Sequence, residues 1–344
     1  MAHNAGADCV LGLDTSNYTT SAALADRSGR LVADCRQMLA VKAGGRGLRQ
    51  SEALFQHMKN LPDLTDDLLR AHGRRVSAVA ASIRPRPAEG SYMPVFLAGM
   101  HFGQGIAAAL NVPFLPFSHQ EGHIRAGMQG TGIRPDDDFL AWHLSGGTSE
   151  LLLVRRPAQD AAAGTQGAYD LSVVGGSRDI SFGQLLDRTG VALGLSFPAG
   201  AEMDALARGA GGGALTKIPT DGLYCNLSGI ESQCLRRIKE GQGAGNPNLA
   251  AALVSELFEK IADCLLTITQ KACRPNGPTS GVPGAANILF TGGVSASGFL
   301  RRRIAAACGG AVFGEASLSP DNAAGIALLG ADGPWNENRQ GFHR

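Results

Sequence analysis

The fold is decided by the stretch CVLGLDTSNYTTSAALA at residues 9–25. Its apolar run at residues 9–14 predicts a buried strand, the hydroxyl-rich residues 15–20 predict a turn, and residues 21–25 predict a second strand. The same plan returns in mid-chain, where strand, turn and strand are predicted at FLAWHL (139–144), SGGTS (145–149) and ELLLV (150–154). Such a repeat indicates two lobes with duplicated β-sheets.

A third element joins a strand to a glycine turn and a helix: NILF (287–290), TGGVS (291–295) and GFLRRRI (298–304). Helix N-termini and backbone N–H groups that no Cβ shields both bind phosphate. Hairpin tips that carry Thr, Ser and Gly can hold phosphates from opposite sides, which predicts a cleft between two lobes. In order and type, the three elements resemble the actin, heat-shock and sugar-kinase superfamily. That resemblance implies an α/β, two-lobed actin-like ATPase fold with duplicated sheets and an interlobe cleft.

The predicted lobes divide the chain at a pair of histidines. Lobe I takes residues 1–118 and 318–337, and lobe II takes residues 119–317, with a metal-binding helix at the boundary. Gly, Ala and Pro without apolar periodicity predict surface loops at residues 157–167 and 275–285. Residues 338–344 are expected to fray.

Charge and cysteine content narrow the class of protein. The 344 residues carry 31 Lys and Arg against 30 Asp and Glu, so charge neither supports nor excludes an RNA ligand. Seven cysteines, none spaced C-x-x-C, argue against a disulfide framework and against a four-cysteine zinc site. With no apolar run of membrane-spanning length and no signal-peptide pattern, we expect a cytoplasmic protein that has no membrane partner.

The run SHQEGH at residues 118–123 predicts a metal site. His119 and His123 are four residues apart, so on a helix they share one face and can bind one ion. Glu121 follows about 200° around the helix from His119 and points away from that face, which argues against a zinc peptidase. Two surface or capping histidines are the alternative interpretation.

Together with the glycine turns, this run resembles the TsaD family of threonylcarbamoyl-transferring proteins over residues 9–330. The family's H-x-E-G-H helix and late T-D-N-A motif match His119, His123 and Asp321, which implies one divalent metal, Fe or Zn. The resemblance further implies threonylcarbamoyl adenylate or ATP as ligand and tRNA adenosine as acceptor. It also implies partner proteins, one of them a smaller homologous lobe.

The residues of the substrate site are predicted from this resemblance, together with the hairpin tips described above. A phosphate turn is predicted at Asp14, Thr15 and Ser16. Asp187 could accept ribose hydroxyls, or could be a helix-surface acid paired with a base. The other predicted substrate or nucleotide contacts are Leu144, Ser145, Gly146, Gly147, Thr148, Gly200, Ser228, Gly292, Gly293 and Ser297.

Several positions depart from the family's motifs. The S-G-G-H-T turn has Thr148 in place of its imidazole, and the T-x-D-D-A-x-G-E segment has Ile180 and Gln184 in place of two acids. Other departures are Tyr18 in the first turn, Ser297 for the Asn of G-G-V-A-A-N, Glu231 for the Lys of F-S-F-S-G-L-K, and Pro198-Ala199-Gly200-Ala201 for P-G-G-P. With the metal ligands retained, such changes are typical of a divergent paralogue.

Three functions follow from these observations. The first is metal-dependent transfer of a threonylcarbamoyl group from its adenylate to N6 of a tRNA adenosine. The second is a nucleotide-binding paralogue of the same fold, a carbamoyl transferase, kinase or ATPase with another acceptor. The third is a non-catalytic partner of an active homologue. An RNA-facing surface at Arg301–Arg303 or at Lys42, Arg46 and Arg49 competes with a solvated helix face.

Overall fold

The computed structural model describes residues 9–16, 18–41, 48–156, 168–207, 214–242, 249–277, 287–320 and 323–333. Asp321, Lys42 and Arg46 lie outside the described residues, as do the predicted loop at 157–167, most of the loop at 275–285 and the tail 338–344. The chain forms two compact units: unit 1 is Met1–Asp136, Arg156–Asp170 and Asp321–Arg344, and unit 2 is Asp137–Arg155 and Leu171–Pro320.

Unit 1 contains a five-stranded sheet of order β3-β2-β1-β4-β5. Its strands are β1 Cys9–Asp14, β2 Thr19–Asp26, β3 Leu31–Met38, β4 Val76–Arg84 and β5 Phe114–Ser118. The first three strands pair antiparallel, while β4 pairs parallel with both β1 and β5. The described helices of this unit are α1 Gln50–His72, α2 Phe96–Leu110, α3 His119–Met128 and α9 Ala324–Asp332, with a 3-10 turn at Gly73–Arg75.

Unit 2 contains a seven-stranded sheet of order β12-β11-β6-β7-β8-β10-β9. Its strands are β6 Phe139–Leu144, β7 Ser149–Arg155, β8 Asp170–Ser177, β9 Thr220–Asp221, β10 Tyr224–Cys225, β11 Ile288–Thr291 and β12 Ala311–Phe313. Its described helices are α4 Phe182–Ala192, α5 Gly200–Leu206, α6 Ser228–Gln242, α7 Leu249–Ala272 and α8 Gly298–Ala307, with 3-10 turns at Gly293–Ala296 and Ala316–Leu318.

The two sheets repeat one topology, which confirms the predicted duplication. In each, the first two strands of the unit form an antiparallel hairpin. The first strand also pairs parallel with a later strand, β4 or β11, and that strand pairs parallel with β5 or β12. Unit 2 differs by the short β9–β10 hairpin at its edge. The predicted strand-turn-strand segments therefore head equivalent halves of a duplicated α/β fold.

Glycine contacts position α3, the helix that carries the histidine pair, against α9. A Cβ on Gly325 would lie 1.9 Å from the Gly122 carbonyl oxygen, so the two helix backbones touch there. A Cβ on Gly12 would lie 2.5 Å from the Ala327 nitrogen, which places α9 directly on β1. Because α3 packs on α9, residues 119–136 belong to unit 1, whereas the predicted boundary put them in lobe II.

Across the described helices, none combines the length and the apolar character needed to cross a membrane.

Candidate functional site

Helix α3 begins with a capping box that uses Glu121. The Ser118 hydroxyl accepts the Glu121 N–H at 3.3 Å, and the Glu121 carboxylate accepts the Ser118 N–H at 2.8 Å. The same buried carboxylate accepts the backbone N–H groups of Ala168 and Tyr169. These bonds confirm the prediction that Glu121 points away from the face of the histidines. Glu121 therefore holds the helix start and is not placed as a general base.

The two histidines lie side by side at the edge of the unit 1 sheet. Their ring centroids are 4.4 Å apart at an interplanar angle of 76°. His119 Nδ1 lies 2.8 Å from Oδ2 of Asp14, the last residue of β1, and Asp14 Oδ1 accepts the Ser82 hydroxyl at 2.7 Å. Because a carboxylate only accepts, it favours the tautomer with the proton on Nδ1 and the lone pair on Nε2, the form in which an imidazole binds a metal through Nε2.

The donor set of this edge suits a divalent transition metal. Imidazole nitrogens on one helix face, one of them oriented by a carboxylate, are ligands that Fe and Zn both accept. His123 is only 3% exposed, so the alternative of two surface histidines is wrong for this residue. The described residues contain no group of three His, Cys, Asp or Glu that could hold a metal, and the third expected ligand, Asp321, is not among them.

The turn after β1 is bonded into the fold through its side chains. The Thr15 hydroxyl donates to the Val95 carbonyl at 2.9 Å and accepts the Gly99 N–H at 3.1 Å. These bonds tie the turn to the first turn of α2. Asp14 is engaged as described above, and Ser16 is buried at 3% exposure. Whether this turn contacts phosphate stays a prediction.

Hydrogen bonds within the hairpin tip of unit 2, residues 145–149, fix its conformation, while its two glycines are exposed. Ser145 Oγ accepts the N–H groups of Gly147 and Thr148 at 3.2 and 3.0 Å, and the Ser145 N–H donates to the Thr148 carbonyl at 2.8 Å. The Thr148 hydroxyl lies 3.2 Å from Ser145 Oγ. Gly146 and Gly147 are exposed, and nothing lies within 4 Å of a Cβ built on either. The tip therefore presents accessible backbone.

Two further segments meet this tip. Gly292 has φ +89°, and a Cβ there would lie 2.4 Å from the Leu144 carbonyl oxygen, so the turn after β11 abuts the end of β6. A Cβ on Gly183 would lie 2.5 Å from the Ser145 carbonyl oxygen, which places the start of α4 under the tip. Gly293 is exposed with open space around it. Leu144, the tip, Gly292 and Gly293 thus lie together, and whether they bind a nucleotide stays a prediction.

Asp187 bonds to the backbone of the residue that precedes Gly200. The Asp187 carboxylate accepts the Ala199 N–H at 2.8 Å, directly before Gly200 begins α5. The alternative of pairing with a base is wrong, because the partner is a backbone amide. Burial raises the pKa of Asp187, although the bond from Ala199 opposes part of the rise. Gly200 has open space at its Cβ position, so a ligand could approach its backbone.

Ser297 caps α8 and belongs to a contact that sequence reasoning missed. Its hydroxyl accepts the Leu300 N–H at 3.1 Å and donates to Asp204 Oδ1 at 2.5 Å. The Asp204 carboxylate also accepts the Phe299 N–H at 3.0 Å. No local pattern around Asp204 pointed to this contact, because its partners lie more than 90 positions along the chain.

Asp179 anchors the segment that carries Ser228. Its carboxylate accepts the N–H of Leu227 at 2.8 Å and the N–H of Ser228 at 2.9 Å. Burial alone would raise the pKa of Asp179, but these backbone bonds outweigh it and hold the pKa well below its usual range. Ser228 itself is exposed at the start of α6.

The departures from the family's motifs have local partners in unit 2. Gln184 completes a capping box with Ser181, so an amide does the work expected of a glutamate there. Ile180 packs against the apolar core. Glu231 lies 3.3 Å from Arg188 in an ion pair. These replacements therefore fit a folded and intact unit.

The three consecutive arginines of α8 differ from one another. Arg303 pairs with Glu259 at 2.9 Å and Asp263 at 3.0 Å. Arg301 donates from Nε to the Ser295 carbonyl at 2.7 Å, and burial lowers its pKa. Arg302 is exposed. An RNA surface on this helix stays a prediction, and Arg302 is the residue of the three that best suits it.

Comparisons with known proteins agree with this geometry. The family model of TsaD, tRNA N6-adenosine threonylcarbamoyltransferase, matches residues 37–328. A protein of that name from Thermus thermophilus is 31% identical, covering 97% of this chain and 94% of its own length. One from Aromatoleum aromaticum is 29% identical, covering 94% and 90%.

Two solved structures of low identity show the fold. The activator of 2-hydroxyisocaproyl-CoA dehydratase from Clostridium difficile, with bound ADPNP, has a TM-score of 0.52 at 12% identity and covers 94% of each chain. HypF of T. kodakarensis has a TM-score of 0.52 at 13% identity, covering 94% of this chain and 47% of its own. The two-lobed actin-like ATPase fold is confirmed. From the family match and the curated relatives, this chain belongs to the TsaD family, the tRNA N6-adenosine threonylcarbamoyltransferases, and is a tRNA-modifying transferase.

Proposed function

We propose that this chain transfers a threonylcarbamoyl group from threonylcarbamoyl adenylate to N6 of a tRNA adenosine. In this proposal His119, His123 and Asp321 hold one divalent metal, Fe or Zn. Such an ion, when bound, supplies Lewis-acid polarisation of a carbamoyl or phosphate oxygen. The rest of the catalytic effect comes from positioning by the chain's own residues.

The observation that carries the proposal is the hydrogen bond between Asp14 and His119. It orients the imidazole and favours the proton on Nδ1, which puts the ring's lone pair on Nε2, the nitrogen that would bind the metal. Ser82 holds the other carboxylate oxygen, so Asp14 is itself fixed. A carboxylate that is itself held in place is the usual support of a metal-ligating histidine.

For unit 2, we propose that exposed backbone and one carboxylate bind the adenylate. Gly146, Gly147 and Gly293 offer N–H groups that a phosphate or carbonyl oxygen can approach without steric hindrance. The Asp187 oxygen that does not bind Ala199 remains as an acceptor for ribose hydroxyls. Thr148 and Ser297 orient their turns through the bonds described above.

Partner proteins and a cellular compartment belong to the proposed reaction. We expect the chain to act with family partner proteins, one of them a smaller homologous lobe, and with tRNA as acceptor. All seven cysteines are free thiols, which supports a reducing, cytoplasmic compartment.

The test supplies metal-loaded protein with threonylcarbamoyl adenylate and unmodified tRNA, with and without family partners. Modified nucleoside is measured by mass spectrometry and metal by elemental analysis. We expect product from the wild-type protein, and for His119→Ala a loss of product of at least about 100-fold together with loss of metal. His101→Ala is the matched control, because His101 lies exposed on α2. His119→Ala protein that retained both metal and rate would refute the metal site.

A second candidate is a nucleotide-binding paralogue of the same fold with another acceptor. Two observations favour it: Thr148 supplies a hydroxyl where the family has an imidazole, and Glu231 pairs with Arg188 where the family has a lysine. Wild-type protein that binds metal and nucleotide, yet forms no modified nucleoside with all partners present, would select this candidate. A chain that binds neither would indicate a non-catalytic partner of an active homologue.

A further inference from the structure

Two polar groups at the edge of the unit 1 sheet lack a partner among the described residues. They are the Ser16 hydroxyl and Nε of Arg84, and both atoms are buried. A buried donor without a hydrogen bond destabilises the fold, and more so when the group is charged, so native proteins rarely keep one unless a ligand or water serves it. The pair therefore needs an explanation.

Strand register brings these two residues to the same edge of the sheet. β1 and β4 are parallel neighbours, with Leu13 opposite Ala81, and their next residues, Asp14 and Ser82, are bonded at 2.7 Å. Ser16 and Arg84 each follow two positions beyond that bonded pair. The carboxyl ends of adjacent parallel strands form the edge where α/β sheets bind ligands.

The start of α3 lies at the same edge. Arg84 is opposite Ser118, the residue directly before His119. The Pro85 carbonyl, next along the chain, accepts the Gln120 N–H at 3.0 Å. The ladder is irregular between Ser82 and Arg84, and a bulge of this kind re-aims a side chain near the end of a strand. The backbone of Arg84 therefore lies next to the start of α3, the helix that carries the histidine pair.

The chemistry of Arg84 and Ser16 favours an anionic ligand. The N–H fork of the Arg84 guanidinium matches a carboxylate or phosphate. The Asp14 carboxylate at this edge has its two oxygens engaged by Ser82 and His119. The Ser16 hydroxyl adds a neutral donor.

We propose that Arg84 and Ser16 form an oxyanion subsite beside the His119–His123 pair, which takes a carboxylate or phosphate group of the substrate. The substrate's identity rests on the proposed function, but occupancy of the subsite does not. For threonylcarbamoyl adenylate, the two sources of the anion are the threonyl carboxylate and the adenylate phosphate.

The test measures binding of three probes to the metal-loaded, full-length protein by calorimetry. The probes are AMP, N-carbamoyl-L-threonine and the methyl ester of N-carbamoyl-L-threonine, which lacks the charge. Arg84→Gln is compared with Arg86→Gln, which removes the same charge from an exposed residue two positions away. We expect Arg84→Gln to weaken one anionic probe by about tenfold or more, Ser16→Ala to weaken it by a smaller factor, and Arg86→Gln to change it less than about twofold.

The outcomes separate the two sources and the two proposals. Weakening of AMP alone assigns the phosphate; weakening of N-carbamoyl-L-threonine, with no effect on its ester, assigns the carboxylate. Equal affinities of the Arg84→Gln and Arg86→Gln proteins, or no binding of any probe to the wild-type protein, overturn the subsite. If circular dichroism shows that Arg84→Gln does not fold, Arg84→Lys and Ser16→Ala give the same comparison with the charge retained. Arg84-dependent binding without any transfer would count against the proposed function alone.

Discussion

The turn after β1 in unit 1 and the tip between β6 and β7 in unit 2 occupy equivalent places in duplicated sheets, yet they are held in different ways. Asp14 and Thr15 bond to residues 68 or more positions away, on β4, on α3 and at the start of α2. Ser145 bonds to Gly147 and Thr148, its own neighbours. Topology thus places both turns at equivalent edges of their sheets. Residue type decides whether the edge offers side-chain donors or open backbone.

This difference predicts which other residues a substitution at each turn affects. In unit 1, a change at the turn reaches the histidine pair, because Asp14 links β1, β4 and α3. In unit 2, the Ser145 side chain bonds within the tip, although Gly146 and Ser149 also bond to Ser181 and Phe182 at the start of α4. The following substitutions test that contrast, from the largest expected effect to the smallest.

Gly325→Ala tests the packing of α3, which carries the histidine pair, against α9. The new Cβ would lie 1.9 Å from the Gly122 carbonyl oxygen, a backbone atom that cannot move aside without shifting α3. We expect a loss of about 3 kcal/mol or more in the free energy of unfolding, measured by urea denaturation. Gly105→Ala is the matched control, since nothing lies near its Cβ position on exposed α2, and it should stabilise by about 1 kcal/mol. Equal stabilities would show that α3 and α9 are not in close contact.

Asp14→Asn tests the link between the turn and the histidines. The amide can no longer act purely as an acceptor toward His119 Nδ1, so the imidazole loses its fixed tautomer. Metal affinity should fall by about 10- to 100-fold, as measured by competition with a chelator. Asp34→Asn, which removes an acid from an ion pair with Arg36 on β3, should leave metal affinity unchanged. Unaltered metal affinity in Asp14→Asn would contradict the link between the turn after β1 and the histidine pair.

Asp179→Asn tests a carboxylate whose bonds go to backbone N–H groups. Its folded-state pKa is lowered below the ordinary value of 3.8, so its ionised form stabilises the fold above that pH, and the contribution is lost as pH falls through the folded pKa. At pH 7 the asparagine protein should be less stable by about 2 kcal/mol, since two charged hydrogen bonds are weakened at a partly exposed site. The deficit should shrink below about pH 4. Thermal unfolding at pH 7 and pH 3 measures it, and a deficit independent of pH would contradict the assignment.

Ser145→Ala tests the hydrogen bonds within the tip. Two N–H groups lose their acceptor, but both can turn to water, so the cost should be about 1 kcal/mol or less. Metal content should not change, while nucleotide affinity should fall several-fold, as measured by calorimetry. A loss of metal in this variant would mean that the two turns are coupled, which would remove the contrast between them.

Local patterns predicted most of the elements. Apolar runs at residues 9–14 and 139–144 became β1 and β6, and the histidine run became α3 with the capping residues expected of its sequence. Hydrophobic periodicity and capping depend on neighbours in the chain, which the sequence displays directly. At the predicted glycine turns, two backbones approach each other closely, as at Gly292 and Leu144.

The supporting residues were not predictable in the same way. Ser82, which holds Asp14, and Asp204, which holds Ser297, lie in segments with no motif of their own. The predicted lobe boundary at residue 118 failed to include α3 in unit 1 for a similar reason, because its packing on α9 joins segments about 200 positions apart. Contacts of this kind leave no trace in any local window.

Residue types and their spacing were enough to establish the duplicated α/β plan, the shared face of His119 and His123, and membership of the TsaD family. Tertiary structure alone decided which atoms support that face: Asp14 meets a hydroxyl 68 positions away and an imidazole 105 positions away. The reason is physical. Periodicity depends on neighbours along the chain, whereas a hydrogen bond between distant residues depends on the register of the strands and the packing of the helices that bring them together.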